Sequence, residues 1–196
     1  QEAALKKALG VDVAITYQVG GGGALCWAEL TRTKPDGYTI AGHNLPHTVV
    51  QPMEMGNAGY NTLDLKQIYM FESTPNVLFV RKDSPYKTLK EFVEAAKKQP
   101  AGVFTCGGSA SSSANDLGTS MLNKAAGIKL TYIPFGGTGS AIPALLGGHV
   151  TALMSYSTMA IQQKDQFRAL AIATEKRMEV LPDLPTFREQ GYDVVE

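Results

Sequence analysis

An α/β fold with largely parallel sheets is what this sequence predicts. Alternating β-branched stretches recur along the 196 residues, separated by stretches of helical period. Glycine-rich turns open three of the expected helices, and Thr88 with Glu91 forms a capping box at the start of another.

The elements follow in chain order. "QEAALKKALG" reads as the tail of an amphipathic helix stopped by Gly10. "VDVAITYQ" (11–18) is β-branched and alternating, so a strand is expected there. "GGGGALCWAEL" then gives glycines followed by a helix that offers Leu25, Ala28 and Leu30 for burial. "KPDGYTIAG" is a Pro-Asp-Gly turn feeding a strand at 38–41. "LKQIYMFES" and "NVLFVRKD" are further expected strands.

In "TLKEFVEAAKKQPAG", Leu89, Phe92, Val93 and Ala96 keep the helical period after the capping box. Lys97 and Lys98 suit the negative end of the helix dipole, and Pro100 stops it. Beyond it the expected order is strand 102–106, helix 113–126, strand 128–133, helix 138–146, strand 150–154, a short helix at 158–164 and strand 168–173. Trp27 and Met154 sit on regular-element positions and read as core. No internal repeat and no low-complexity linker interrupts this order.

Composition narrows the function classes. Apolar residues make up 44% and charged residues 18%, which fits a packed globular chain. Eighteen basic and 18 acidic residues cancel, so no electrostatic footprint for nucleic acid or an anionic membrane is expected. No apolar run approaches the roughly 20 residues that span a bilayer, so no membrane insertion is expected either. "QEAALKKALG" has no signal-peptide h-region, and "EQGYDVVE" stops where a strand should begin, so structure is expected on both sides of this stretch. Cys26 and Cys106 follow no disulfide framework and read as small buried hydrophobes. No Cys/His cluster points to a metal, and His43, His47 and His149 lack the spacing of a zinc helix. No cofactor is expected.

The glycine-rich turns are 20–23, 107–113 and 136–140, each ahead of a helix whose first N–H groups are unpaired. Such turns hold anions without a basic side chain. Enzyme readings fit them poorly. Gly107-Gly108-Ser109-Ala110-Ser111 lacks the closing glycine of a nucleophile elbow, and His149 is the sole histidine downstream. No Lys or Arg occurs from Gln99 to Asn123, so a Walker loop is missing, and Leu25 replaces the last glycine of a dinucleotide fingerprint. Between Lys129 and Lys164 no residue is charged. An anion held there would meet backbone N–H groups and the hydroxyls of Ser109, Ser111, Ser112, Ser113, Thr138 and Ser140. The alternative is that glycine and serine simply make tight turns. His47, in a loop beside Pro46, reads equally as a capping or a ligand-binding residue.

The collinear run of G-G-G-G, P-D-G-Y-T, P-N-V-L, "SPYKTLKEFVEAAKKQP", the serine turn, "YIPFGGTGSAIPALLGGHV", "RALAIAT" and "LPDLPTFREQGY" resembles the tripartite tricarboxylate transporter substrate-binding proteins, the Bug or TctC-like family. The resemblance implies a periplasmic receptor of the type II periplasmic-binding-protein fold, in which two α/β lobes close on a small organic carboxylate. It implies integral-membrane transporter subunits as partners, and a monomer. Residues 1–80 with 175–196 would form lobe one and 81–174 lobe two. The crossings would fall near Leu78–Lys82 and Ala169–Thr174, and lobe one, without a strand that precedes Gln1 in relatives, would carry an unpaired edge or gap in its sheet.

The same resemblance supplies candidate contacts. His43, Asn44 and His47 would face the cleft from lobe one. Gly107, Gly108, Ser109, Ser111, Ser112, Ser113, Phe135, Gly137 and Thr138 would face it from lobe two, with Ser155 after the "HVTALM" strand. Three positions depart from the family pattern: Ser155 stands where Asp is frequent, Tyr17 where Asn is typical, and Asn115 where His is typical. Loss of the Asp would suit an anionic or hydroxylated ligand. Two rivals remain open from sequence: a receptor that signals to a partner, and an α/β enzyme using a serine of the 109–113 run.

Overall fold

The computed structural model describes residues 2–196. Its centre is one five-stranded sheet in the order β3-β2-β4-β1-β5. The strands are β1 (Asn76–Arg81), β2 (Thr105–Ser109), β3 (Thr131–Phe135), β4 (Ala152–Tyr156) and β5 (Phe167–Ile172). β2 runs parallel to both of its neighbours, whereas β1 runs antiparallel to β4 and β5. The sheet is therefore mixed, not largely parallel. The reason is that β1 pairs antiparallel with both of its neighbours, with Leu78 opposite Met154 on β4 and Ala171 on β5.

Helices cover both faces. α4 (Leu89–Lys97) and α5 (Ala114–Ala126) bury Leu89, Phe92, Val93 and Leu122 against Leu78, Val80, Cys106 and Met154. α6 (Thr138–Leu146) and α7 (Ser157–Gln162) bury Ala141, Leu145 and Met159 against Val77, Phe79 and Leu153 on the other face. Each fully buried leucine or phenylalanine contributes about 1.5–3 kcal/mol relative to exposure. Phe187 and Val194, near the end of the chain, join the first of these cores. The expected capping at Thr88 is present: its Oγ1 accepts from Glu91 N–H at 3.2 Å. Glu91 reaches back one residue further than in the standard box, to Lys87 N–H at 2.6 Å.

Residues before β1 fold differently from expectation. α1 (Glu2–Leu9) is closed by Gly10, as its sequence predicts, and α2 (Ala24–Leu30) follows the glycines. The expected strands at 11–18, 38–41 and 65–73 do not form. A period-2 pattern becomes a strand when a neighbour supplies backbone partners, and none does so among the described residues. Tyr17 and Tyr38 are accordingly 89% and 93% exposed. What organises this part is Trp27, which donates to Gly42 O at 3.0 Å and meets Tyr60 edge-on with ring centres 5.7 Å apart. Ala28 is buried beside it, while Leu25, expected to be buried, is exposed.

α3 (His47–Met55) starts at His47, expected in a loop beside Pro46, and it contains Pro52. Later elements match expectation with shifts of at most three residues, and α6 matches without any. The largest is at β2. Gly102 takes a positive φ of 93° in a turn, so the strand starts at Thr105 and runs on through Gly107 and Gly108. Both cysteines are free, and burial pushes the Cys106 thiol up to about 11.

A chain of buried amides fixes β1 to the start of α5. Asn76 Nδ2 donates to Ala114 O at 2.6 Å and to Glu196 Oε1 at 2.5 Å. Asn115 Nδ2 donates to Asn76 Oδ1 at 2.6 Å. Asn115 Oδ1 in turn accepts from the Ser109 N–H at 3.0 Å and the Ser109 hydroxyl at 2.6 Å. Both asparagines are fully buried, so every one of these bonds replaces water. Asn115→Ala strips partners from Asn76 Oδ1 and Ser109 N–H together. It is expected to destabilise the protein by about 2 kcal/mol or more in urea unfolding, against less than about 0.5 kcal/mol for the exposed Ser120→Ala.

Candidate functional site

β2 leads into α5 on one face of the sheet, and β3 leads into α6 on the other. Neighbouring strands whose connections depart to opposite faces leave a crevice at their carboxyl ends. Ser109 and Phe135 pair as the last residues of β2 and β3, at the end of the sheet where such a crevice would open. Ala110 N–H donates to Phe135 O at 2.7 Å and ties the two turns together.

The serine turn is held by its own side chains. Ser113 caps α5, its Oγ accepting from Asp116 N–H at 3.2 Å while donating to Ser109 O at 2.5 Å. Tyr132 Oη lies 2.7 Å from Ser109 O and 3.1 Å from Ala110 O, bracing the turn from β3. Burial drives the Tyr132 phenol upward, so it stays a neutral donor. Ser112 N–H donates to Asp116 Oδ2 at 3.1 Å, and burial raises that carboxyl. Ala110 and Ser112 have φ of 34° and 57°, a left-handed region that costs a non-glycine residue about 1–3 kcal/mol. Strain on both sides of Ser111 leaves that residue exposed at the tip.

The expected site residues divide into groups. Gly107 and Gly108 lie inside β2. A Cβ on Gly108 would fall 2.5 Å from Tyr132 Oη and 2.7 Å from Asn115 Cβ, so glycine there permits close packing beneath the turn. Ser109, Ser112 and Ser113 have their hydroxyls engaged within the protein, and Ser111 presents its hydroxyl outward. Gly137 and Thr138 open α6 with no side chain capping it, and a Cβ on Gly137 would meet nothing within 4 Å. The Thr138 end of α6 is therefore an uncapped, accessible N-terminus beside the serine turn. Ser155 sits in the middle of the sheet opposite Val77, 1% exposed, with no partner for its hydroxyl among the described residues.

From the N-terminal side, α3 packs onto this turn. Glu54 accepts a short hydrogen bond from the Ser112 hydroxyl. Gln51 Nε2 donates to Gly21 O at 3.1 Å and Gly22 O at 3.3 Å, and Gly22 lies directly against Ala110. His47 starts the helix and is buried, with no partner for Nδ1 among the described residues; burial holds its pKa below the usual histidine value. His43 is engaged instead, by Thr48 Oγ1 at 3.3 Å and by Gln67, while Asn44 O receives the Thr48 N–H at 3.1 Å. Sequence reasoning missed Gln51, Glu54, Tyr132 and Asn76. The first two lie in α3, a helix not expected from the sequence, and the others gain meaning through distant partners.

The tripartite tricarboxylate transporter family receptor description matches residues 1–196. The chain is 31% identical over 199 residues to a UPF0065 protein of Cupriavidus necator, covering 97% of this chain and 58% of that protein. It is 29% identical to one from Agrobacterium vitis, covering 95% and 54%. The chain thus spans little more than half the length of these relatives.

Among solved structures it resembles the periplasmic binding protein BugD (30% identity, TM-score 0.87, 97% of this chain and 64% of that one). It resembles MatC of Rhodopseudomonas palustris with bound malate (28%, 0.83, 98% and 67%). It also resembles R. palustris Rpa4515 with adipate (26%, 0.87, 100% and 66%). These likenesses give the chain the two-lobe fold of periplasmic binding proteins. Among the described residues no helix is long and apolar enough to cross a membrane. The chain belongs to the tripartite tricarboxylate transporter receptor family.

Proposed function

We propose that this chain forms the ligand-capturing part of a periplasmic solute-binding receptor, which closes on a small organic carboxylate and hands it to integral-membrane transporter subunits. One observation carries the reading: the uncapped N-terminus of α6 opens beside the braced serine turn, in a stretch without basic side chains. Helix N–H groups and the Ser111 and Thr138 hydroxyls can hold a carboxylate there without burying a lysine, whose desolvation the ligand would have to offset. His43, Asn44, His47 and Ser155 belong to the same proposed site from the facing side and the floor. The malate and adipate held by two related structures are the same class of ligand.

The lobe boundaries are part of the proposal. Residues 1–80 and 175–196 form one lobe and 81–174 the other, with Phe187 and Val194 seated against the second lobe's helices. β1 and β5, side by side and antiparallel, are the natural hinge. A receptor fits the serine turn better than a serine enzyme does. Ser109 donates to Asn115 and Ser113 to a backbone carbonyl, so neither hydroxyl faces a base.

Three measurements test this reading. Titration calorimetry of the purified protein against linear dicarboxylates and tricarboxylates is expected to show saturable 1:1 binding to at least one, and heat from none of them rejects the proposal. Gly108→Ala forces Tyr132 and Asn115 apart, and a loss of at least about tenfold in affinity is expected with the sheet intact by circular dichroism. Glu54→Gln weakens the one side-chain bond from α3 to the serine turn. A lower closed population follows, read as an affinity drop of about three- to tenfold and a larger radius of gyration in solution scattering.

A further inference from the structure

We propose that Gln51 makes the site selective for carboxylates that bring a hydrogen-bond donor of their own, a hydroxyl or ammonium group on the carbon chain, over the bare chain of equal length. This rests on the carboxylate-receptor reading above and adds to it the second half of the ligand.

Gln51 is 1% exposed on α3. Its Nε2 donates to the carbonyls of Gly21 and Gly22, at 3.1 and 3.3 Å. Both partners accept only, so the amide has one sensible orientation: nitrogen toward the glycine loop, oxygen away from it. Oε1 then has no donor among the described residues. A buried acceptor left unmet is destabilising, and native proteins keep such groups where a ligand or water completes them.

The position of the amide says what completes it. A Cβ on Gly22 would lie 2.6 Å from Gln51 Nε2 and 2.8 Å from Ala110 Cβ, so the amide sits at the seam where α3 meets the serine turn. His47 precedes Gln51 by four residues, on the same face of α3, and its buried Nδ1 is also without a partner. Two orphaned polar atoms on one helix face, next to the proposed carboxylate cradle, mark a polar subsite.

A carboxylate cannot fill it, because an ionised carboxylate only accepts and would be repelled by Oε1. A hydroxyl or N–H donates to it. The neutral His47 ring can turn either a lone pair or an N–H toward the same group, depending on tautomer. The seam therefore has two poles. N–H donors of α6 face the carboxylate end, and the acceptor of Gln51 faces the donor-bearing carbon.

Calorimetry on matched pairs tests this: malate against succinate, 2-hydroxyglutarate against glutarate, and 2-hydroxyadipate against adipate. The hydroxylated member of at least one pair is expected to bind about tenfold more tightly, one good hydrogen bond in size. In Gln51→Met, folded by circular dichroism and thermal melting, that preference is expected to fall below about threefold through weaker binding of the hydroxylated member alone. Equal affinities within every pair in the unaltered protein overturn the inference without any variant. A preference that survives in folded Gln51→Met overturns it too. Heat from no member of any pair, with none from the wider carboxylate panel, rejects the receptor reading itself and this inference with it.

Discussion

The contact between Asn76 and Asn115 is the constraint on which the site depends. Both amides are fully buried, and each uses its donors and acceptor on specific partners. Asn76 stands at the start of β1, and Asn115 in the first turn of α5. Ser109, at the end of β2, completes the line. A movement at β1 must therefore either carry the serine turn along or break buried hydrogen bonds, and the second is costly in a low-dielectric interior. The turn is built as a rigid extension of β1. Such rigidity holds the geometry of the turn.

The second organising feature is the division of polarity across the seam. From the sheet side come helix N-termini and a turn whose strained residues push Ser111 outward. From α3 come acceptors: Glu54, which takes the Ser112 hydroxyl, and Gln51, whose oxygen has no donor among the described residues. Asp116 and Glu54 place two carboxylates near a proposed anion site, which looks contradictory by charge alone. Each is engaged by Ser112, through its N–H and its hydroxyl respectively, and burial raises the Asp116 carboxyl.

How much of this was legible in the sequence varied with the range of the interaction. The helix 89–97 announced itself through Thr88 and Glu91, because capping is a bond between residues three apart. The strands 11–18, 38–41 and 65–73 were expected on the same kind of local pattern and do not form, since a strand exists only with its neighbour. α3 was not predicted from the sequence, and it forms with Pro52 inside it.

The sequence alone determined the alternation of elements around the sheet, the lack of basic residues from 130 to 163, and the glycines that permit close turns. These are properties of neighbours along the chain, and periodicity and composition record them directly. Tertiary structure decided which serines are free and which are taken. It brought Glu54 to Ser112 across 58 residues and Asn76 to Asn115 across 39, and it left Gln51 with half an amide unpaired. No local pattern encodes such pairings, because each partner is chosen by the packing of the elements that carry it.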